Sequence, residues 1–203
     1  DLSHISYMMS CTAPLRVDAI RRFYEKYQIP ICQHYGSSET GAVTVHIPSE
    51  VLARLASVGV TMENVNITIV DGSGNEVSAG QEGEVVVRSG AIARGYVMGQ
   101  PPGRSPFREH AYWTGDRGYV DREGFLYLMG RLDDIINVGG YKVSPHEVVQ
   151  VLESYSKIRE AAVLGVNDGM GEEVVYAVVS LRCHTTEREI LEFCRTQLAD
   201  YKV

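Results

Sequence analysis

At 203 residues the chain is long enough for a real core and for more than one folding unit. A net charge of -7 argues against binding nucleic acid, which asks for a basic face. No apolar run reaches transmembrane length. The cysteines, Cys11, Cys32, Cys183 and Cys194, are scattered without CxxC spacing, which argues against a metal cluster or disulfide framework and for a reducing, cytoplasmic setting.

Residues 5–9 read as a short buried strand already under way, so the chain is expected to begin inside a domain. Residues 10–14 are a small-residue turn. A helix is predicted over 17–27, because Ile20, Phe23, Tyr24 and Tyr27 recur at i, i+3, i+4 and i+7. Ile31, Cys32 and Gln33 form a second short buried strand, completing the strand-turn-helix-strand grammar of an α/β sheet. Ligands of such sheets sit beyond the carboxyl ends of strands, where residues 10–14 and 34–41 are expected.

From about residue 42 the texture becomes β-rich. Val65, Ile67 and Ile69 alternate with polar residues, 71–75 is a turn cluster, 84–88 is a strand and 119–128 a hairpin. Close spacing of short strands suggests a small antiparallel barrel or sandwich, with residues 95–106 as a loop. After residue 134 a small α+β unit is predicted. Ser144-Pro145-His146-Glu147 reads as a capping box opening a helix to about 155. Strands follow at 161–166 and 174–181. A second capping box, Thr186 with Glu189, opens a helix bearing Ile190, Phe193, Cys194 and Leu198 on one face. Ending at Val203 just after that helix, the chain is expected to stop inside this unit. The expected architecture is therefore mixed α/β: the end of an α/β sheet subdomain over 1–50, an antiparallel β-barrel subdomain over 51–132, and a truncated α+β domain over 133–203.

Four stretches carry chemistry, and each admits a plain structural reading. Tyr112-Trp113-Thr114-Gly115-Asp116 sets a carboxylate behind a glycine, or is a turn with an Asx bond. Gly130-Arg131-Leu132-Asp133-Asp134 sets a guanidinium beside two carboxylates, or is a surface ion-pair cluster. An acid and an arginine converging on one spot suit a ribose, whose hydroxyls can both donate and accept. Residues 34–41 (His34-Tyr35-Gly36-Ser37-Ser38-Glu39-Thr40-Gly41) suit a nucleotide loop: Tyr35 for a base, Ser37 and Ser38 for phosphate, Glu39 for Mg²⁺. The alternative is a strand-to-helix turn capped by Ser38 or Thr40. Gly139 and Gly140 permit either close approach of a ligand or a tight turn. His146 reads as exposed, and His4, His46, His110 and His184 show no metal spacing.

In this order, these motifs resemble the adenylate-forming (AMP-binding) superfamily: acyl-CoA synthetases, adenylation domains of peptide synthetases, and luciferases. The matching stretches are Ser10-Cys11-Thr12-Ala13-Pro14-Leu15, residues 35–40, residues 112–116, and residues 130–140 continuing through Lys142-Val143-Ser144-Pro145-His146-Glu147-Val148. The resemblance implies an acid–thiol ligase that adenylates a carboxylic acid with MgATP and passes the acyl group to CoA. It implies that Ala13, Pro14, Tyr35, Gly36, Ser38, Asp116 and Arg131 bind the nucleotide, with Ser38 at the α-phosphate. Glu39 would hold Mg²⁺, Ser38 and Glu39 would serve catalysis, Asp133 would be the hinge of a mobile carboxyl-terminal domain, and Gly139 and Gly140 would line the CoA channel.

Cys11 and Thr12 depart from the family's small glycines, and Asn137 stands where many acyl-CoA synthetases carry lysine. The family's phosphate loop and adenylation lysine find no match among the 203 residues, so an inactive fragment of a longer enzyme is expected. Two other readings remain open: an adenylation domain that loads a carrier protein, and a non-catalytic nucleotide-binding module. The neighbouring Ala42 and Val43 favour an apolar acid.

Overall fold

The computed structural model describes residues 2–12, 15–97, 105–167 and 173–203. Its contacts group into two compact units, Asp1–Leu128 and Met129–Val203. The fold is mixed α/β, as the order of strands and helices implies.

The first unit opens with β1 (Met8–Ser10), α1 (Val17–Tyr27) and β2 (Ile31–Ser37). β1 and β2 pair in parallel, Met8 opposite Ile31 and Ser10 opposite Gln33, so α1 is the crossover helix of a βαβ unit. Its apolar stripe is buried only in part: Ile20 is fully buried against Cys32 and Val51, Phe23 and Tyr24 are half-buried, and Tyr27 is exposed. The helix stops at Gln28, whose left-handed φ of 56° lets its N–H return to the Tyr24 carbonyl. The first strand departs from expectation. It lies at Met8–Ser10 rather than over 5–9, and Met8 and Met9 are exposed, because β1 is the edge of its sheet.

A second departure matters more. β2 does not stop at Gln33 but runs on to Ser37; residues 38–40 turn, and β3 (Gly41–Val45) returns antiparallel. Residues 34–41 are thus a β-hairpin, neither a loop nor the entry to a helix. The turn is closed from within: the Thr40 hydroxyl, buried, accepts from the Ser37 N–H at 3.0 Å. β4 (Val60–Thr61) completes the four-stranded sheet β1-β2-β3-β4.

The antiparallel sheet comprises β5 (Val65–Val70), β6 (Gly83–Ser89), β7 (Phe107–Arg108), β8 (Ala111–Val120) and β9 (Leu126–Arg131). Its strand order is β5-β6-β8-β7, with β9 also on β8, a curled open sheet rather than a closed barrel. Ile69, Val85, Val87 and Leu126 are buried together with Val43, and Tyr35 packs on them. Each buried valine contributes about 1.5–3 kcal/mol by leaving water. Val43 and Tyr35 come from the hairpin, so the two sheets of this unit share one core. The expected hairpin at 119–128 is present, and its turn is held by Asp121, whose carboxylate accepts the N–H groups of Glu123 and Phe125, both at 2.9 Å.

The second unit contains β10 (Ile136–Val138), β11 (Tyr141–Val143), α2 (Pro145–Ser154), β12 (Ile158–Asn167), β13 (Glu173–Leu181) and α3 (Glu187–Arg195). β12 and β13 pair antiparallel, and α2, α3 and the β10–β11 hairpin bury Ile136, Val143, Val148, Leu152, Ile158, Cys194 and Leu198 together. The capping box at α3 is formed in both directions between Thr186 and Glu189. The one expected at α2 is not. The Ser144 hydroxyl donates to the Met129 carbonyl at 3.4 Å, and Glu147 is drawn to Lys202, whose Nζ lies 2.6 and 2.7 Å from its two oxygens. His146 is half-buried rather than exposed, and burial lowers its pKa.

The working cap has a pH signature. The Thr186 N–H, the Thr185 hydroxyl and Lys157 together hold the Glu189 carboxyl near a pKa of about 2, against an ordinary value of 4.5. A depressed folded-state pKa stabilises above the unfolded value, and that contribution is lost as pH falls through the folded one. Acid unfolding of this unit, followed by circular dichroism between pH 4.5 and 2, is therefore expected to have a Glu189-dependent limb. Glu189→Gln should flatten that limb; an unaltered limb would contradict the assignment.

Candidate functional site

The site is built on the first unit, where the β2–β3 hairpin meets β8. Tyr35 projects from β2 and donates its hydroxyl to Asp116 Oδ2 at 2.5 Å, across 81 positions of sequence. Asp116 does not sit in a turn. It lies inside the ten-residue β8, at a register shift opposite the 84–86 stretch of β6. Thr114 makes that irregularity. Its buried hydroxyl donates to the Val85 carbonyl at 2.8 Å and accepts the Asp116 N–H at 3.0 Å, replacing ladder bonds that the bulge gives up. The neighbouring Gly115 N–H goes to Glu84 Oε1 at 3.2 Å.

At the hairpin tip Ser38 is exposed and Glu39 half-exposed. Burial alone would raise the Glu39 carboxyl, but hydrogen bonds from Ser37 and Tyr96 outweigh it and hold the pKa below the ordinary value. Tyr96 donates to Glu39 Oε1 at 2.9 Å, and its oxygen lies 3.3 Å from the hydroxyl of Tyr112 on β8. Gly36 is required by close approach: a Cβ there would stand 2.2 Å from the Gly41 carbonyl oxygen. Beneath the hairpin a buried bracket holds β2 in place. The Gln33 side chain donates to the Leu55 and Ser57 carbonyls and accepts from the Leu15 N–H, while the Gln33 N–H donates to His46 Nδ1 at 3.3 Å. Burial lowers the pKa of His46, in the same sense as its Nδ1 accepting the Gln33 N–H.

Of the expected residues, Tyr35, Gly36, Ser38, Glu39 and Asp116 come together in this unit. Ala13 and Pro14 lie outside the described residues. Val43 is fully buried in the core, so it lines no acid pocket. Arg131, Asp133, Gly139 and Gly140 belong to the second unit. There Arg131 and Asp133 form a loose pair at 3.7 Å between exposed side chains, an interaction of small energy. Gly139 and Gly140 form the two-residue loop of the β10–β11 hairpin, with φ of 53° and 87°. That is the conformation of a type I′ turn, and no heavy atom lies within 4 Å of a Cβ built at either.

Sequence reasoning missed Thr114, Tyr96, Tyr112, Gln33 and His46 as supports of the site. Thr114 and Tyr112 were inside a motif already singled out. The other three carried no signal beyond being polar or aromatic.

A single carboxylate with a depressed pKa, next to an exposed serine, fits Mg²⁺ shared with ligand phosphates, which uses one or two protein carboxylates. A cage made only of protein groups does not fit: among the described residues no group of three His, Cys, Asp or Glu side chains is placed to hold a metal.

Residues 1–97 match the model of the AMP-binding enzyme family, and residues 147–203 match that of the AMP-binding enzyme C-terminal domain. The chain belongs to the AMP-binding, adenylate-forming enzyme family. Among curated members it is 33% identical over 180 residues to a 2-succinylbenzoate–CoA ligase of Bacillus licheniformis, covering 88% of this chain and 37% of that protein. It is 32% identical over 205 residues to an oxalate–CoA ligase of Saccharomyces cerevisiae, covering 98% and 38%. In three dimensions it superposes on the o-succinylbenzoate CoA synthetase of Bacillus subtilis bound to its acyl-adenylate intermediate, with a TM-score of 0.88, 28% identity, and 99% of this chain against 41% of that one. The chain thus spans well under half the length of these members. Among the described residues no helix is long and apolar enough to cross a membrane.

The hairpin gives a direct stability test. Gly36→Ala drives a methyl into the Gly41 carbonyl. Overpacking of this kind costs about 1–3 kcal/mol, so the urea midpoint should fall correspondingly, and an unchanged midpoint would contradict the geometry.

Proposed function

We propose that this chain is the carboxyl-terminal part of an ATP-dependent acid–thiol ligase and supplies its grip on the nucleotide. The observation that carries this reading is the Tyr35–Asp116 hydrogen bond, which sets an aromatic ring, a carboxylate and the Ser38–Glu39 tip on neighbouring elements. In this reading Tyr35 and Gly36 face adenine, Asp116 accepts from the ribose hydroxyls, Ser38 meets the α-phosphate, and Glu39 holds Mg²⁺. When bound, the ion would draw charge from the phosphate oxygens. By the family resemblance, Arg131 would serve the ribose, Asp133 would be the hinge, and Gly139 and Gly140 would flank the path of CoA.

The chemistry is acyl activation. A carboxylate oxygen attacks the α-phosphorus of ATP, the bond from that phosphorus to the bridging oxygen breaks, and pyrophosphate leaves with the electron pair. The CoA thiol, losing its proton to solvent, then attacks the acyl carbon, and AMP leaves. Most of the acceleration comes from alignment and charge neutralisation, which suits residues that bind and orient. The curated relatives are named as CoA ligases, which supports CoA over a carrier protein as acceptor. Their named acids, succinylbenzoate and oxalate, give no support to a fatty acid, and with Val43 buried the case for an apolar acid rests on the exposed Ala42 alone. The four free thiols suit a cytoplasmic setting.

In the full-length protein, Asp116→Ala should weaken ATP binding about 10- to 100-fold by calorimetry, the loss expected when hydrogen bonds to a charged group disappear. Unchanged ATP affinity would remove the ribose role.

A further inference from the structure

Glu39 stands on a hairpin tip, where a long flexible side chain has several rotamers open to it. The structure does not leave it so. The loop before residue 98 is anchored on that tip twice: the Ala93 N–H donates to the Glu39 carbonyl at 2.8 Å, and the Tyr96 hydroxyl donates to Glu39 Oε1 at 2.9 Å. A phenol has one hydrogen. That of Tyr96 is used on the carboxylate, so in its 3.3 Å contact with Tyr112 only Tyr112 can donate, and the Tyr112 hydroxyl bears on the Glu39 carboxylate as well. Phe107 holds both rings, edge-on to Tyr96 at 5.2 Å and tilted to Tyr112 at 5.0 Å.

We infer that Tyr96 is a positioning residue for Glu39, and that this relay of two phenols, Tyr96 on the carboxylate with Tyr112 beside it, presets the carboxylate for the cation that accompanies the nucleotide. The inference rests on the proposed role of Glu39. It adds that the cation site is completed by a loop about 57 residues downstream of the carboxylate, outside every motif that marks the site in sequence. A preset carboxylate has less rotamer freedom left to lose when the cation arrives.

The test is Mn²⁺ binding to the ATP-saturated full-length protein, read by the electron paramagnetic resonance of the free ion, beside ATP binding in EDTA. Tyr96→Phe keeps the ring against Phe107 and removes only the hydroxyl. It should weaken Mn²⁺ about tenfold and leave metal-free ATP affinity within about twofold. Tyr112→Phe should give a smaller loss in the same sense. Wild-type Mn²⁺ affinity in both variants would overturn the relay, as would an equal loss of metal-free ATP binding, which signals a merely structural role. Glu39→Gln separates the two levels. If it loses Mn²⁺ while Tyr96→Phe does not, the relay alone fails; if it retains Mn²⁺, the Glu39 assignment fails and the relay with it.

Discussion

The hydrogen bond from Tyr35 to Asp116 joins two sheets that the chain builds from distant segments. Neither residue could be placed by its own strand alone. Tyr35 is held because Gln33 and His46 bracket the base of the hairpin, and because Gly36 lets β3 approach its partner strand closely. Asp116 is held because Thr114 takes over the hydrogen bonds that the register shift in β8 leaves unpaired. Buried polar groups cost free energy unless they are satisfied, so these brackets stabilise the fold and aim the site at once. The shared core of Val43, Ile69, Val85, Val87 and Leu126 sits beneath the joint and keeps the two sheets in register.

The regular elements could be read from sequence where periodicity was strong. α1 has the bounds its apolar stripe implies, the 119–128 hairpin has the turn its Asp-Arg-Glu-Gly run implies, and α3 has its full capping box. The misreadings share a cause: tertiary partners outbid local pattern. Ser144 and Glu147 have the spacing of a capping box, but Met129 and Lys202 claim their side chains. Residues 34–37 are polar enough to read as loop, yet they pair in a ladder whose partner strand supplies what their composition does not. The turn at Glu109 and His110 carries φ of 56° at both positions with neither glycine nor asparagine, so no turn signal marked it. The site followed the same rule. Residues that would touch a ligand stood in recognisable motifs, whereas those that hold them, such as Gln33 and Tyr96, were visible only through their contacts.

The division at Leu128 and Met129 also divides the proposed roles. Tyr35, Ser38, Glu39 and Asp116 lie on one side; Arg131, Asp133, Gly139 and Gly140 lie on the other. The first set is internally braced by the bonds already described. In the second, Arg131 pairs with Asp133 at 3.7 Å, and the glycine turn closes a hairpin anchored by the buried Ile136 and Val143. The second unit has its own core, built from Ile136, Val148, Leu152, Ile158 and Cys194.

The central claim is that the face formed by the β2–β3 hairpin and β8 holds the nucleotide. Photolabelling the full-length protein with 2-azido-ATP and mapping the modified peptide tests it most directly. The account predicts ATP-protected label within residues 34–41, around Tyr35. Protected label confined to peptides lacking both this hairpin and residues 112–116 would contradict it.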